Sequence, residues 1–126
     1  ILIVGADYDK GYFRNHVWPI ASSEWVNLVG KTSVGMLVSL LRRAKLCVSF
    51  QSGVGISSVY LNRPTAIFWR KDGDSLNSDR MISFSEKMAT AWMPPDMIDR
   101  CLPGIYGRTT AEDVCHWADE VIGGER

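Results

Sequence analysis

The chain has 126 residues, 46% hydrophobic and 22% charged, with 14 basic side chains balanced by 14 acidic ones. A chain of this length buries roughly two-thirds of its unfolded surface, enough for a core of its own, so a single domain over residues 1–126 is expected. Zero net charge argues against a nucleic-acid partner, which calls for a basic surplus to neutralise phosphates, and no run nears the ~20 apolar residues of a membrane span.

The chain opens without Met on the apolar run ILIV, ended by Gly5. Such a short continuous run suits a strand buried on both faces of a parallel sheet. Its abrupt start suggests a segment with an N-terminal part upstream. Residues 10–21 form a weak helix candidate that stops or kinks near Pro19. Residues 25–29 read as a second strand, closed by Gly30. Val34, Leu37, Val38 and Leu41 then recur at helical spacing, with Thr32 or Ser33 as the cap and Arg42 and Arg43 suited to the last turn.

Residues 46–50 are a third apolar strand. Gln51-Ser52-Gly53 breaks it, and a helix of about two turns runs to Leu61, ended by Arg63-Pro64. Residues 65–69 form a fourth strand, rich in β-favouring side chains. Residues 70–80 have loop chemistry, and residues 81–85 suit a fifth short strand. From 86 to 108 the prolines and glycines indicate irregular chain. A last helix opens at Thr110, with Asp113 at capping-box spacing. It carries Val114, Trp117, Ala118 and Val121 on one face, and Gly123 is expected to end it. Strands alternating with helices at these lengths predict an α/β fold, a Rossmann-like parallel sheet flanked by helices.

In such a sheet, ligands bind beyond the carboxyl ends of the strands. Four loops lie there: Gly5-Ala6-Asp7, Gly30-Lys31-Thr32-Ser33, Gln51-Ser52-Gly53 and Arg70-Lys71-Asp72. At Ser52-Gly53 a strand turns into a helix whose first amides lack intrahelical partners and carry partial positive charge. A glycine there admits a phosphate, and the Ser52 hydroxyl can add a hydrogen bond. The same residues also suit a plain cap and turn. Lys31 beside two hydroxyls suits a solvated lysine next to a capping Thr or Ser better than a diphosphate contact. Arg70, Lys71 and Asp72 suit phosphate and ribose contacts or an ordinary charged loop.

The run from Gly53 through Gly55 to Ser58 also approximates a dinucleotide fingerprint, with Asp72 or Asp74 near the place of a ribose-binding acid. It follows the third strand rather than the first, against that reading. Trp25, Trp69, Trp92 and Trp117 suit core packing better than ligand platforms. His16 and His116 fall on helix candidates, His116 off the apolar face. No spacing defines a Ser-His-Asp set or a carboxylate pair, so no catalytic residue is assigned. Cys47, Cys101 and Cys115 are odd in number and read as buried reduced thiols, consistent with a cytoplasmic protein. Their spacing does not suit a metal site, and none is expected.

With this order of elements, the chain resembles the C-terminal, donor-binding domain of GT-B glycosyltransferases, in particular the heptosyltransferase-like glycosyltransferase family 9. Three stretches carry the likeness: NLVGKTS at residues 27–33, LCVSFQSG at residues 46–53 and RPTAIF at residues 63–68. The resemblance implies that Ser52 and Gly53 contact the donor phosphates and makes Lys31 and Thr32 candidate donor contacts; by their place in the same loops Gln51 and Gly5 join the donor-binding set, with Ser33, Arg70, Lys71 and Asp72 behind them. The family motif usually reads Asp-Ser/Thr-Gly-x-x-His. Gln51 stands in the Asp place and Ile56 in the His place, which implies a divergent enzyme with a donor other than ADP-heptose.

The implied ligand is a nucleotide diphosphate sugar as substrate, with no cofactor or metal. The acceptor, a glycan or lipopolysaccharide-type molecule, belongs to an N-terminal domain supplied in cis or in trans. Peripheral membrane association is open under this reading. Two other readings remain: a non-catalytic nucleotide-binding or assembly module, and an NAD-type dinucleotide-binding fragment.

Overall fold

The structure is a computed structural model, and it describes residues 1–12, 14–15, 22–50, 52–69, 92–105 and 108–124. The chain is mixed α/β, built on small parallel sheets with helices beside them. It divides into two compact units, Ile1–Leu40 and Leu41–Arg126.

In the first unit, β1 (Leu2–Ile3) pairs in parallel with β2 (Val26–Asn27), with Leu2 opposite Val26 and Ile3 opposite Asn27. Backbone bonds from Leu28 N–H to Ile3 O and from Gly30 N–H to Gly5 O, each 2.8 Å, carry the pairing past both strands. Gly30 has φ of 67°, a left-handed conformation costly to any residue with a Cβ. A Cβ there would also stand 2.5 Å from Lys10 Cε, which that flexible side chain can relieve by moving, so it is the backbone conformation that demands glycine.

After β1 comes a single 3-10 turn, Asp7–Asp9, and then one helical turn, α1 (Lys10–Tyr12). Of the helix expected over residues 10–21, residues 10–12 and 14–15 are helical; residue 13 and residues 16–21 lie outside the described residues. The helix expected after Gly30 is α2 (Val34–Arg43), and the division between units falls within it. Ser33 rather than Thr32 caps it, its Oγ accepting the Met36 N–H at 3.2 Å. Along its stripe Leu41 is buried and Leu37 and Val38 are half-buried, but Val34 is 80% exposed.

In the second unit, β3 (Cys47–Phe50), β4 (Thr65–Trp69) and β5 (Leu102–Ile105) form a parallel sheet in that order. Central β4 has neighbours on both sides, and Thr65, Ala66 and Ile67 are at most 1% exposed, as its β-favouring composition leads one to expect. Strand β3, paired on one side only among the described residues, alternates half-buried Cys47 and Ser49 with exposed Val48 and Phe50.

Strand β5 was not expected, because its Pro103-Gly104 reads as a turn. Among the described residues β5 is paired on one side only, and there a proline's missing N–H need not interrupt a ladder. Gly104 is buried with the Phe68 ring 3.0 Å from where its Cβ would stand, so the glycine makes room for that ring. Before β5, Pro94 and Pro95 open a one-turn helix, α4 (Pro95–Ile98), where proline's missing N–H would be unpaired in any case. Residues 86–108 thus hold a helix and a strand among their described part. The fifth strand expected over 81–85 lies outside the described residues.

The core of this unit gathers Val59, Ile67, Met93, Met97 and Cys101, with Trp92 packed against it. Fully burying a side chain of this size contributes about 1.5–3 kcal/mol, so Met93 and Met97, from the segment expected to be irregular, contribute as much as the strand residues.

The last helix, α5 (Ala111–Gly124), starts as expected. Thr110 N–H and Oγ1 donate to Asp113 Oδ2 at 2.8 and 3.0 Å, and Asp113 N–H donates back to Thr110 Oγ1 at 3.2 Å. Trp117 is buried, as its place on the apolar stripe implies, and His116 is exposed beside Glu120 at 3.4 Å. Gly123 does not end the helix, which continues through Gly124: with open space around both glycines, nothing forces a turn there. No helix among the described residues is long and apolar enough to cross a membrane.

Candidate functional site

The register sets the carboxyl ends of the second unit's strands level. Phe50 stands opposite Phe68, and Phe68 opposite Gly104. The two phenyl rings meet edge to face, centroids 6.5 Å apart and planes at 64°, forming an apolar ledge at the end of the sheet.

From this edge the chain passes through position 51 into Ser52 and α3 (Gly53–Tyr60). Ser52 is extended, with φ of −154° and ψ of 167°, and is the N-cap residue, yet its side chain caps nothing. The first turn closes when Ile56 N–H donates to Ser52 O at 3.1 Å. The amides of Gly53, Val54 and Gly55 precede it, at the end of the helix where no intrahelical carbonyl is in reach. That end carries the positive pole of the helix dipole and suits an anion.

The Ser52 hydroxyl is diverted by Ser49, a residue that sequence reasoning passed over. Ser49 Oγ donates to Phe50 O at 2.8 Å and lies 3.0 Å from Ser52 Oγ. Either hydroxyl can donate between the two. Ser52 is thus held toward the strand, away from the helix amides. The signal for Ser49 was a single hydroxyl within the apolar run of residues 46–50.

Two glycines of α3 play different parts. Gly55 is buried against the strand: a Cβ there would lie 3.3 Å from Ser49 Cβ and Oγ and 3.4 Å from Phe50 O. It serves helix–strand packing. Gly53 is exposed, has an ordinary φ, and has nothing within 4 Å of where a Cβ would stand. The fold itself does not require glycine at this position.

The far end of α3 is fixed by a second residue missed in the sequence. Asn62 adopts φ of 59°. Its N–H donates to Val59 O at 2.9 Å, and Arg63 N–H donates to Ser58 O at 3.0 Å, the paired bonds of a left-handed helix cap. Asparagine tolerates this conformation better than other residues with a Cβ. Below the helix, buried Thr65 donates through Oγ1 to Ser58 Oγ at 3.0 Å, and it lies 2.8 Å from Arg63 O.

Among the described residues, the other expected contacts belong to the first unit. Gly5 accepts from Gly30 through its carbonyl, so those two loops meet. The Ala6 amide donates to Asp9 Oδ2 at 2.8 Å: a carboxylate of the chain itself occupies the amide that an external anion would use. Asp7 and Lys10 pair on the exposed surface beside it. Lys31 Nζ donates to Asn27 O at 3.0 Å. Thr32 is half-buried, and Ser33 is committed to capping α2. Gln51, Arg70, Lys71, Asp72 and Asp74 lie outside the described residues.

The expectation of three buried thiols is corrected. Cys101 is buried, Cys47 is half-buried and Cys115 is exposed on α5. Burial pushes the Cys47 and Cys101 thiols above their ordinary range, outweighing a hydrogen bond from Ser58 at Cys47 and one from the Thr65 backbone at Cys101. Burial thus disfavours the thiolate, the nucleophilic form, at both. Among the described residues no group of three or more His, Cys, Asp or Glu side chains gathers to hold a metal. The chain matches no protein-family model, no curated protein and no solved structure.

Proposed function

We propose that this chain is the donor-binding half of a GT-B glycosyltransferase, a Rossmann-like domain that holds the diphosphate of a nucleotide sugar at the N-terminus of α3. The observation that carries the reading is the uncapped start of that helix at the carboxyl end of β3, where Ser49 keeps the Ser52 hydroxyl off the amides. Gly53 supports it, since a position that the fold leaves open to a side chain is glycine where a phosphate would approach the backbone. The Phe50–Phe68 ledge ends at the same edge of the sheet.

In the proposed reaction an acceptor hydroxyl attacks the anomeric carbon as the bond to the diphosphate oxygen breaks. The hydroxyl proton passes to a base on the acceptor-binding domain. Negative charge grows on the departing diphosphate, and the amides at Gly53–Gly55 stabilise it without reorganising. Arg70, Lys71 and Asp72 are proposed as further donor contacts. The work is cytoplasmic, where nucleotide sugars are at hand, and needs no metal in this scheme.

Titration calorimetry with ADP, UDP, GDP, CDP, inorganic phosphate and NAD tests the reading. One nucleoside diphosphate is expected to bind more tightly than phosphate or NAD. Tighter binding of NAD, or no binding of any diphosphate at millimolar concentration, would overturn it.

A further inference from the structure

We draw no further inference here: the strongest candidate, the apolar surface of strand β3 where Val48 and Phe50 stand 54% and 63% exposed, carries nothing because no feature of the structure shows what covers it.

Discussion

Gly53→Ala separates the two explanations for a glycine at the start of α3. If the residue serves only the fold, a methyl group there meets open space and is accepted. Alanine is the better helix former, by up to about 1 kcal/mol in a helix interior and less at a first position. Stability should therefore hold or rise slightly. If a phosphate lies against the backbone, the same methyl displaces it from at least one amide. A hydrogen bond to a charged group contributes about 1.5–3 kcal/mol, which corresponds to a loss of about 10- to 150-fold in affinity for the nucleoside diphosphate. Gly55→Ala is the contrast. Its methyl would press on Ser49 and the Phe50 carbonyl, and overpacking of about 1–3 kcal/mol outweighs the helix gain. Urea unfolding followed by circular dichroism gives the stability of each variant, and calorimetry gives the binding. A Gly53→Ala protein that binds diphosphate as tightly as the parent, or that is clearly less stable, would refute the reasoning.

Asn62→Ala should destabilise the second unit by about 1 kcal/mol, since alanine bears the cost of a left-handed conformation without asparagine's local hydrogen bonding, while Asn62→Gly should be neutral or stabilising; equal melting curves for all three proteins would contradict the cap. Asp113 is exposed, and its carboxyl is held below the ordinary value of 3.8, first by the Thr110 amide and then by the Thr110 hydroxyl. Because the folded form has the lower pKa, its contribution is present above the unfolded value and fades as pH falls through the folded one. Asp113→Asn should therefore flatten the acid limb of stability against pH, as read by denaturant midpoints below pH 5, and an unchanged limb would count against the capping box. Cys115 should react first with iodoacetamide in the folded protein at neutral pH and Cys101 last, as mass-spectrometric peptide mapping would show; early labelling of Cys101 would contradict its burial.

Where one local signal and the tertiary context agreed, the sequence was readable. Residues 65–69 carry β-branched and aromatic side chains between two breakers and form β4 over those five positions. Thr110 and Asp113 sit three apart and close the expected box. The failures came where packing overrode local preference. Pro103-Gly104 signals a turn, but β5, paired on one side only among the described residues, tolerates the proline, and the Phe68 ring needs the missing Cβ. Asn62 reads as ordinary polar chain until the helix end places it at a positive φ.

The candidate site was legible in the same measure. A strand running into Ser-Gly marks a helix start, which the structure has at Ser52–Gly53. That Ser52 turns its hydroxyl toward Ser49 depends on a contact between strand and loop that no spacing rule contains. Nor does the chain's pattern reveal that Asp9 takes up the Ala6 amide, which makes the Gly5 loop a self-satisfied turn.

The most direct test is an amide NMR titration of the chain with the nucleoside diphosphate that binds best. Chemical-shift changes concentrated on Ser52, Gly53, Val54 and Gly55, reduced in Gly53→Ala, are the predicted result. Saturable binding whose shifts leave these four amides untouched, or the absence of any response at millimolar ligand, would contradict the claim that α3 opens onto a diphosphate.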